Sequence, residues 1–230
     1  MKYKDVKEAT FLARPNRFVA QVLVDGIEET AHVKNTGRCE NLLVPGCKVI
    51  LEVSDNPKRK TKYDLISVYQ ESLGWVNIDS LVPNEVIKEW LSGNMNTLFP
   101  GLDYLKPECQ YGESRFDFYM EKDNRRIFIE AKGCTLQYGW LGYFPDAPTE
   151  RGAKHLRELM EAVKEGYECY LAFVIQMNGI THVKPNRAID PDFADAMRDA
   201  IKNGVTVLNL ECHVAPDSVE VVGYNIISHL

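Results

Sequence analysis

The first third of the chain carries short apolar runs broken by turn-forming residues. FVAQVLV (18–24) is followed by Asp25-Gly26 and then by IEETAHV (27–33). KVILEV (48–53) follows Pro45-Gly46, and YDLISVY (63–69) follows the polar stretch SDNPKRKTK (54–62). Runs this short, rich in β-branched residues and bounded by Gly, Pro, Asn and Asp, predict strands. CENLL (39–43) predicts one short helix between them. Short strands with a helix in the middle predict a small OB-like β-barrel.

Beyond residue 76 the pattern changes. PNEVIKEWL (83–91) predicts an amphipathic helix, with Pro83 at its start and Gly93 after its end. This places a boundary near residue 80 and divides the chain into regions 1–80 and 81–230. RFDFYMEK (115–122) and RIFIEAK (126–132) flank Asp123-Asn124 as a hairpin. A helix over 149–166 follows, its apolar positions 156, 159, 160 and 163 falling on one stripe. YLAFVI (170–175) reads as a strand covered on both faces. A second helix, PDFADAMRDAIKNG (191–204), and the strands VTVLNL (205–210) and VEVV (219–222) complete the order. Hairpin, helix, strand, helix, strand predicts a mixed sheet flanked by helices, so the fold class is α/β in the second region and α+β overall.

Composition narrows the function. The 230 residues are 45% hydrophobic and 26% charged, as in globular proteins. No apolar run approaches the ~18–20 residues of a membrane span, and MKYKDVKEATF has no apolar signal core, so a cytoplasmic protein without membrane contact is expected. The six cysteines form no CxxC pair, which argues against a zinc centre. The net charge of −6 excludes nucleic-acid binding by bulk charge alone, yet the first 80 residues carry 12 basic and 11 acidic side chains, leaving the excess of acid in the remainder.

The chemistry concentrates at 113–132. If Lys122 faces Arg125 across the hairpin, Asp117 lies opposite Glu130 and Arg115 opposite Lys132, with Glu113 on the same face. Phe116, Phe118, Met120, Ile127, Ile129 and Ala131 then share the other face. Directly opposed carboxylates stand about 4.5–5.5 Å apart at Cβ and repel each other. A divalent cation, Mg²⁺ or Mn²⁺, would relieve that repulsion, with Glu113, Asp117 and Glu130 as ligands. Lys132 would then face charge developing on a phosphate. The alternative is a solvated hairpin face whose acids pair with Arg115 or Lys132.

Asp117, the hairpin, Glu130-Ala131-Lys132 and a polar-headed helix resemble the PD-(D/E)XK nuclease superfamily. RPNRFVA (14–20), NTGR (35–38), LLVPG (42–46), GESRFDF (112–118) and FPDAPTERGAKHLRELM (144–160) resemble the sugar fermentation stimulation protein A family over nearly the whole chain. The resemblance implies an OB-like domain followed by a PD-(D/E)XK, restriction-endonuclease-like domain. It implies nucleic-acid binding linked to regulation of sugar (maltose) metabolism. It makes Asp117, Glu130 and Lys132 the catalytic core, with Glu113 as a nearby acid. Gly133-Cys134 departs mildly from its relatives, and residues 190–230 contain no helix-turn-helix.

Further candidates would contact the nucleic acid: Arg14, Asn16 and Arg17 beside Phe18, Asn35 and Arg38 in a tight turn, and the basic run Lys58-Arg59-Lys60. Arg151, Lys154 and His155 on the helix after the hairpin complete the set. The expected partner is DNA, with RNA second, and a homodimer is left open. The leading expectation is a metal-dependent nuclease hydrolysing phosphodiester bonds. The alternatives are a DNA-binding regulator that keeps the fold without catalysis, and an adaptor that uses the barrel for protein contacts.

Overall fold

The computed structural model describes residues 1–35, 37 and 39–227. Six strands form the first sheet: β1 (Val6–Asn16), β2 (Val19–Val24), β3 (Ile27–Val33), β4 (Lys48–Val53), β5 (Tyr63–Gln70) and β6 (Gly74–Asn77). Their order is β3-β2-β1-β4-β5-β6, and a parallel pairing of β3 with β5 closes the first five strands into a barrel. Asp25 and Gly26 both take positive φ, the conformation a two-residue hairpin requires between twisted strands. The barrel is filled by Phe11, Val22, Val33, Leu51, Leu65 and Val68, all buried.

The barrel departs from the sequence reading in two places. Val6–Asn16 is a full strand that its charged and polar residues concealed. Residues 39–43 make a single hydrogen-bonded turn, closed on the Cys39 carbonyl by the Leu42 and Leu43 amides, in place of a helix.

The second sheet comprises β7 (Tyr104–Tyr111), β8 (Ser114–Lys122), β9 (Arg125–Cys134), β12 (Glu168–Ile175), β14 (Thr206–Ala215) and β15 (Ser218–Ile227), ordered β15-β14-β12-β9-β8-β7. β9, β12 and β14 run parallel, and both margins are antiparallel. α1 (Val82–Ser92) covers one face, where Val86, Ile87 and Trp90 join Ile129, Ala172 and Leu208. α2 (Glu150–Lys164) and α3 (Pro191–Lys202) belong to the other side, where Leu156, Leu159 and Met197 join Phe128, Phe173 and Val207. β12 is thus buried on both faces, as its unbroken apolar run implied. Thr149 and Asp190 cap the two helices by accepting from the Gly152 and Phe193 amides. A small third sheet, β10 (Leu136–Tyr138), β11 (Leu141–Phe144) and β13 (Val183–Pro185), stands beside these elements.

Asp123 and Asn124 both take positive φ in the β8–β9 turn, and Lys122 pairs with Arg125 as expected. That register holds to Phe118–Ile129, where the ladder ends. Phe116 departs from its expected side. It packs with Phe128, Tyr111 and His155, whereas Phe118 and Met120 join the α1 core.

Barrel and sheet are joined by buried polar groups. The Gln176 side chain donates to Asn77 Oδ1 (2.7 Å) and to the Asp79 carbonyl (3.0 Å), and Asn77 donates to Tyr3 Oη (3.0 Å). Asn178 donates to the carbonyls of Leu73, Trp75 and Val214. A second cluster lies on the barrel itself. Lys34 Nζ reaches Glu52 (3.0 Å), Asp64 (3.3 Å) and Asp79 (3.3 Å), and Arg59 holds Asp64 through both terminal nitrogens. Burial opposes the Asp64 charge, but Arg59, Lys34 and His32 outweigh it and hold its pKa down at about 2.

Two expected outcomes follow from these joints. A Cβ at Gly133 would overlap Gln176 Oε1 and meet Pro83 Cγ at 3.0 Å, and Gln176 is itself tied down. Gly133→Ala should therefore cost about 1–3 kcal/mol in urea unfolding, the usual penalty of overpacking. The depressed Asp64 pKa adds stability that is complete above the ordinary aspartate range and is lost as pH falls toward 2. Asp64→Asn should lower the melting temperature at pH 7, and the gap from wild type should close as pH drops from 4 to 2.

Candidate active site

β8 and β9 bring Asp117 and Glu130 to one wall of a cleft of about 400 Å³. Asn35, Gly37 and Ser80 reach it from the barrel side, and Thr149, Arg151 and Gly152 from the start of α2. Each acid is held differently. Asp117 Oδ1 accepts from Asn84 Nδ2 (2.9 Å), and Oδ2 accepts from the Ala131 amide (2.8 Å). The carboxylate thus takes a backbone donor of the neighbouring strand at the point where the ladder ends. Burial and then the Glu130 charge push the Asp117 pKa up, against the Ala131 and Asn84 donors and Lys132.

Glu130 is 2% exposed, on the central strand β9. Its Oε1 receives Lys132 Nζ (2.6 Å) and His155 Nδ1. Burial raises the Glu130 pKa, but the Lys132 ammonium and the His155 ring more than offset this and keep it below the ordinary glutamate range. Its second oxygen, Oε2, is buried with no hydrogen-bond partner among the described residues. A buried carboxylate oxygen without a donor is costly and needs a reason. Here it stands beside a second carboxylate in a polar cleft, so the pair suits a hard divalent cation.

His155 is not a surface contact for nucleic acid, as its helix position had implied. It is 3% exposed, and its Nε2 accepts from Arg151 Nε (3.2 Å). That leaves Nδ1 to face Glu130 Oε1, so the ring links a guanidinium at the cleft to the buried carboxylate. Glu113 does not join the pair. Its side chain is 86% exposed and bonded to Lys154 (3.0 Å), so Lys154 is also taken up at the surface. Among the described residues no three His, Cys, Asp or Glu side chains converge as a ready-made metal cage.

The remaining candidates divide. Arg14 donates to the carbonyls of Arg17, Asn35 and Gly37, so it clasps the loop at the cleft. Asn16 accepts from the Phe18 amide, and Asn35 both donates to the Ile78 carbonyl and accepts from the Gly37 amide. Arg17 is exposed at the β1–β2 turn. Arg59 is spent on Asp64, which leaves Lys58 and Lys60 exposed in that run. Arg38 lies outside the described residues. Sequence reading missed Asn84, whose contact with Asp117 depends on where α1 packs. It also missed Asp146, a cleft carboxyl whose pKa burial pushes up.

A five-stranded OB-like barrel joined to a mixed-sheet, restriction-endonuclease-like domain with paired acids defines the class. Residues 12–78 match the family model for the SfsA N-terminal OB domain, and residues 81–218 match that for the sugar fermentation stimulation protein RE domain. The chain belongs to the sugar fermentation stimulation protein family. It is 48% identical over 225 residues to a sugar fermentation stimulation protein homolog of Clostridium beijerinckii, covering 97% of this chain and 98% of that one. It is 50% identical over 220 residues to a homolog of Desulfitobacterium hafniense, covering 96% and 95%. The structure of Pyrococcus furiosus SfsA in complex with Ca²⁺ superimposes with a TM-score of 0.87 at 26% identity, covering 97% of this chain and 96% of that one. Among the described residues no helix is long and apolar enough to cross a membrane.

The Glu130 anchor gives a direct expectation. His155→Phe keeps a ring in the space but removes a donor to a buried carboxylate, so it should cost about 1–3 kcal/mol in urea unfolding. His155→Gln, which can still donate, should recover part of that loss.

Proposed function

We propose that the chain is a divalent-cation-dependent phosphodiesterase acting on nucleic acid, with DNA as the first substrate to test. The observation that carries this reading is the unpartnered, buried Glu130 Oε2 beside Asp117, with Lys132 on the other oxygen of the same carboxylate. A pure binding surface has no use for two juxtaposed acids that repel its anionic ligand.

Asp117 and Glu130 would hold Mg²⁺ or Mn²⁺. Such an ion, when bound, polarises a phosphoryl oxygen and offsets the charge that builds as the ester bond breaks. Asn84 and the Ala131 amide orient Asp117, and His155 orients Glu130. Lys132 donates to Glu130 in the absence of substrate and stands ready to donate to a phosphoryl oxygen as its negative charge grows. Arg151, exposed at the cleft and tied to His155 through Nε, has its terminal nitrogens left to meet a phosphate. The Ca²⁺ complex of the Pyrococcus furiosus relative supports a site for a hard divalent ion in this family. The alternative is a DNA-binding regulator of sugar metabolism that has kept the fold and lost the reaction.

Thermal melting with and without Mn²⁺ tests the ion apart from turnover. Wild type should melt higher with the ion, and Asp117→Asn should lose most of that rise. An equal rise in both proteins moves the ion elsewhere. Lys132→Met should bind DNA within a few-fold of wild type yet lose on the order of 10²–10³ in cleavage rate. If wild type cleaves neither DNA nor RNA with either metal, the regulator reading replaces this one.

A further inference from the structure

We propose that the groove behind the β10–β11 hairpin is a second subsite, which seats an unstacked single-stranded segment of the nucleic acid leaving the cleft. The proposal rests on the reading of the cleft as a nucleic-acid site and adds the form of the substrate. The groove holds about 760 Å³ and is floored by Leu141, Tyr143 and Ile227. Its charged lining side chains are Lys184, Arg187 and Arg198, with the polar His182 beside them; Arg187 and Arg198 pair with Asp195 at the rim, and Lys184 does not. In a chain of net charge −6, an apolar floor under a cationic rim selects an anion with a flat, apolar body. Nucleotides of a single strand have that form.

The register puts the aromatic and basic groups on one face of the small sheet. Leu136 pairs with Tyr143, Tyr138 with Leu141, and Tyr143 with Lys184, and paired residues project to the same side. The Tyr138 and Tyr143 rings meet edge to face at 5.3 Å. Trp140, at the hairpin turn beside them, is 81% exposed, an unusual position for so large an apolar ring. Arg187 and Arg198 are held at the rim by their shared partner Asp195. Lys184 is exposed and, among the described residues, has no hydrogen-bond or ion-pair partner, so its full charge faces an incoming phosphate.

The groove and the cleft lie on the two sides of the β10–β11 hairpin. Thr135, just before β10, and Phe144, at the end of β11, both line the cleft, so the hairpin is a wall common to the two. Its arms rise only about 10 Å over three residues, a span a few nucleotides cover. Bases in a duplex are stacked on each other and offer the rings no free face. Bases of a single strand offer theirs, and such stacking tolerates any sequence.

The test is binding of a short single-stranded DNA oligonucleotide to the full chain in EDTA, read by fluorescence anisotropy and tryptophan emission, with the same sequence as a duplex for comparison. The single strand should quench wild-type emission, and Trp140→Ala should abolish most of the quenching. Trp140→Ala and Lys184→Ala should each weaken single-strand binding about tenfold, within the range of one lost base stack or phosphate contact, and leave the duplex within twofold. Lys184→Ala should also lower the salt slope by about 0.7. Both side chains are exposed, so neither change threatens the fold. Unchanged single-strand affinity in both variants, equal losses for single strand and duplex, or no single-strand binding by wild type would each overturn the proposal. None of these readings depends on Asp117 or Lys132, so the groove can fail while cation-dependent cleavage at the cleft stands, and the reverse.

Discussion

A carboxylate buried in the middle of a sheet must be compensated, and the site is organised around that requirement. Glu130 sits on β9, flanked by β8 and β12, where water cannot stabilise its charge. Lys132 and His155 supply what water cannot, and both are placed by main-chain geometry: one two residues along the same strand, the other a full turn into α2. Arg151 extends the link to the surface of the cleft. Among the described residues one oxygen of Glu130 is left with nothing to accept, and the second acid, Asp117, is held close by a donor from the partner strand. The repulsion between them is sustained by the fold.

The barrel and the sheet make this site together. Asn35 and Gly37 belong to the barrel side, and the Arg14 guanidinium holds their carbonyls. The segment after β6 is bound to the far domain through Gln176, whose backbone and side chain both meet Asn77. Gly133 follows the Glu130-Ala131-Lys132 run because any side chain there would displace Gln176 or Pro83. A small residue in the strand thus secures two domains and places α1, whose Asn84 then reaches Asp117.

Much of this could be read along the chain. The β8–β9 register follows from the turn residues and strict alternation, and the structure keeps it from Lys122–Arg125 to Phe118–Ile129. The buried β12 followed from its continuous apolarity, and α2 from apolar positions falling on one stripe. Other elements were hidden for identifiable reasons. β1 carries Lys7, Glu8, Arg14 and Asn16 at half-exposed or exposed positions, which masks its period. β10, β11 and β13 have three or four residues each, too few for any period to show.

The sequence by itself determined the succession of hairpin, helices and buried strands in the second domain, the pairing of the hairpin and the identity of the acids and lysine, because each depends on neighbours close in the chain. Only the tertiary structure decided how those groups are used. It buried His155 against Glu130, sent Glu113 out to Lys154, spent Arg59 on Asp64 and brought Asn84 to Asp117. These partners are separated by 5 to 41 residues, and a charged side chain's role is set by which opposite charge or donor the packing puts beside it. A residue's chemistry is written in its identity, but its availability is a property of its surroundings.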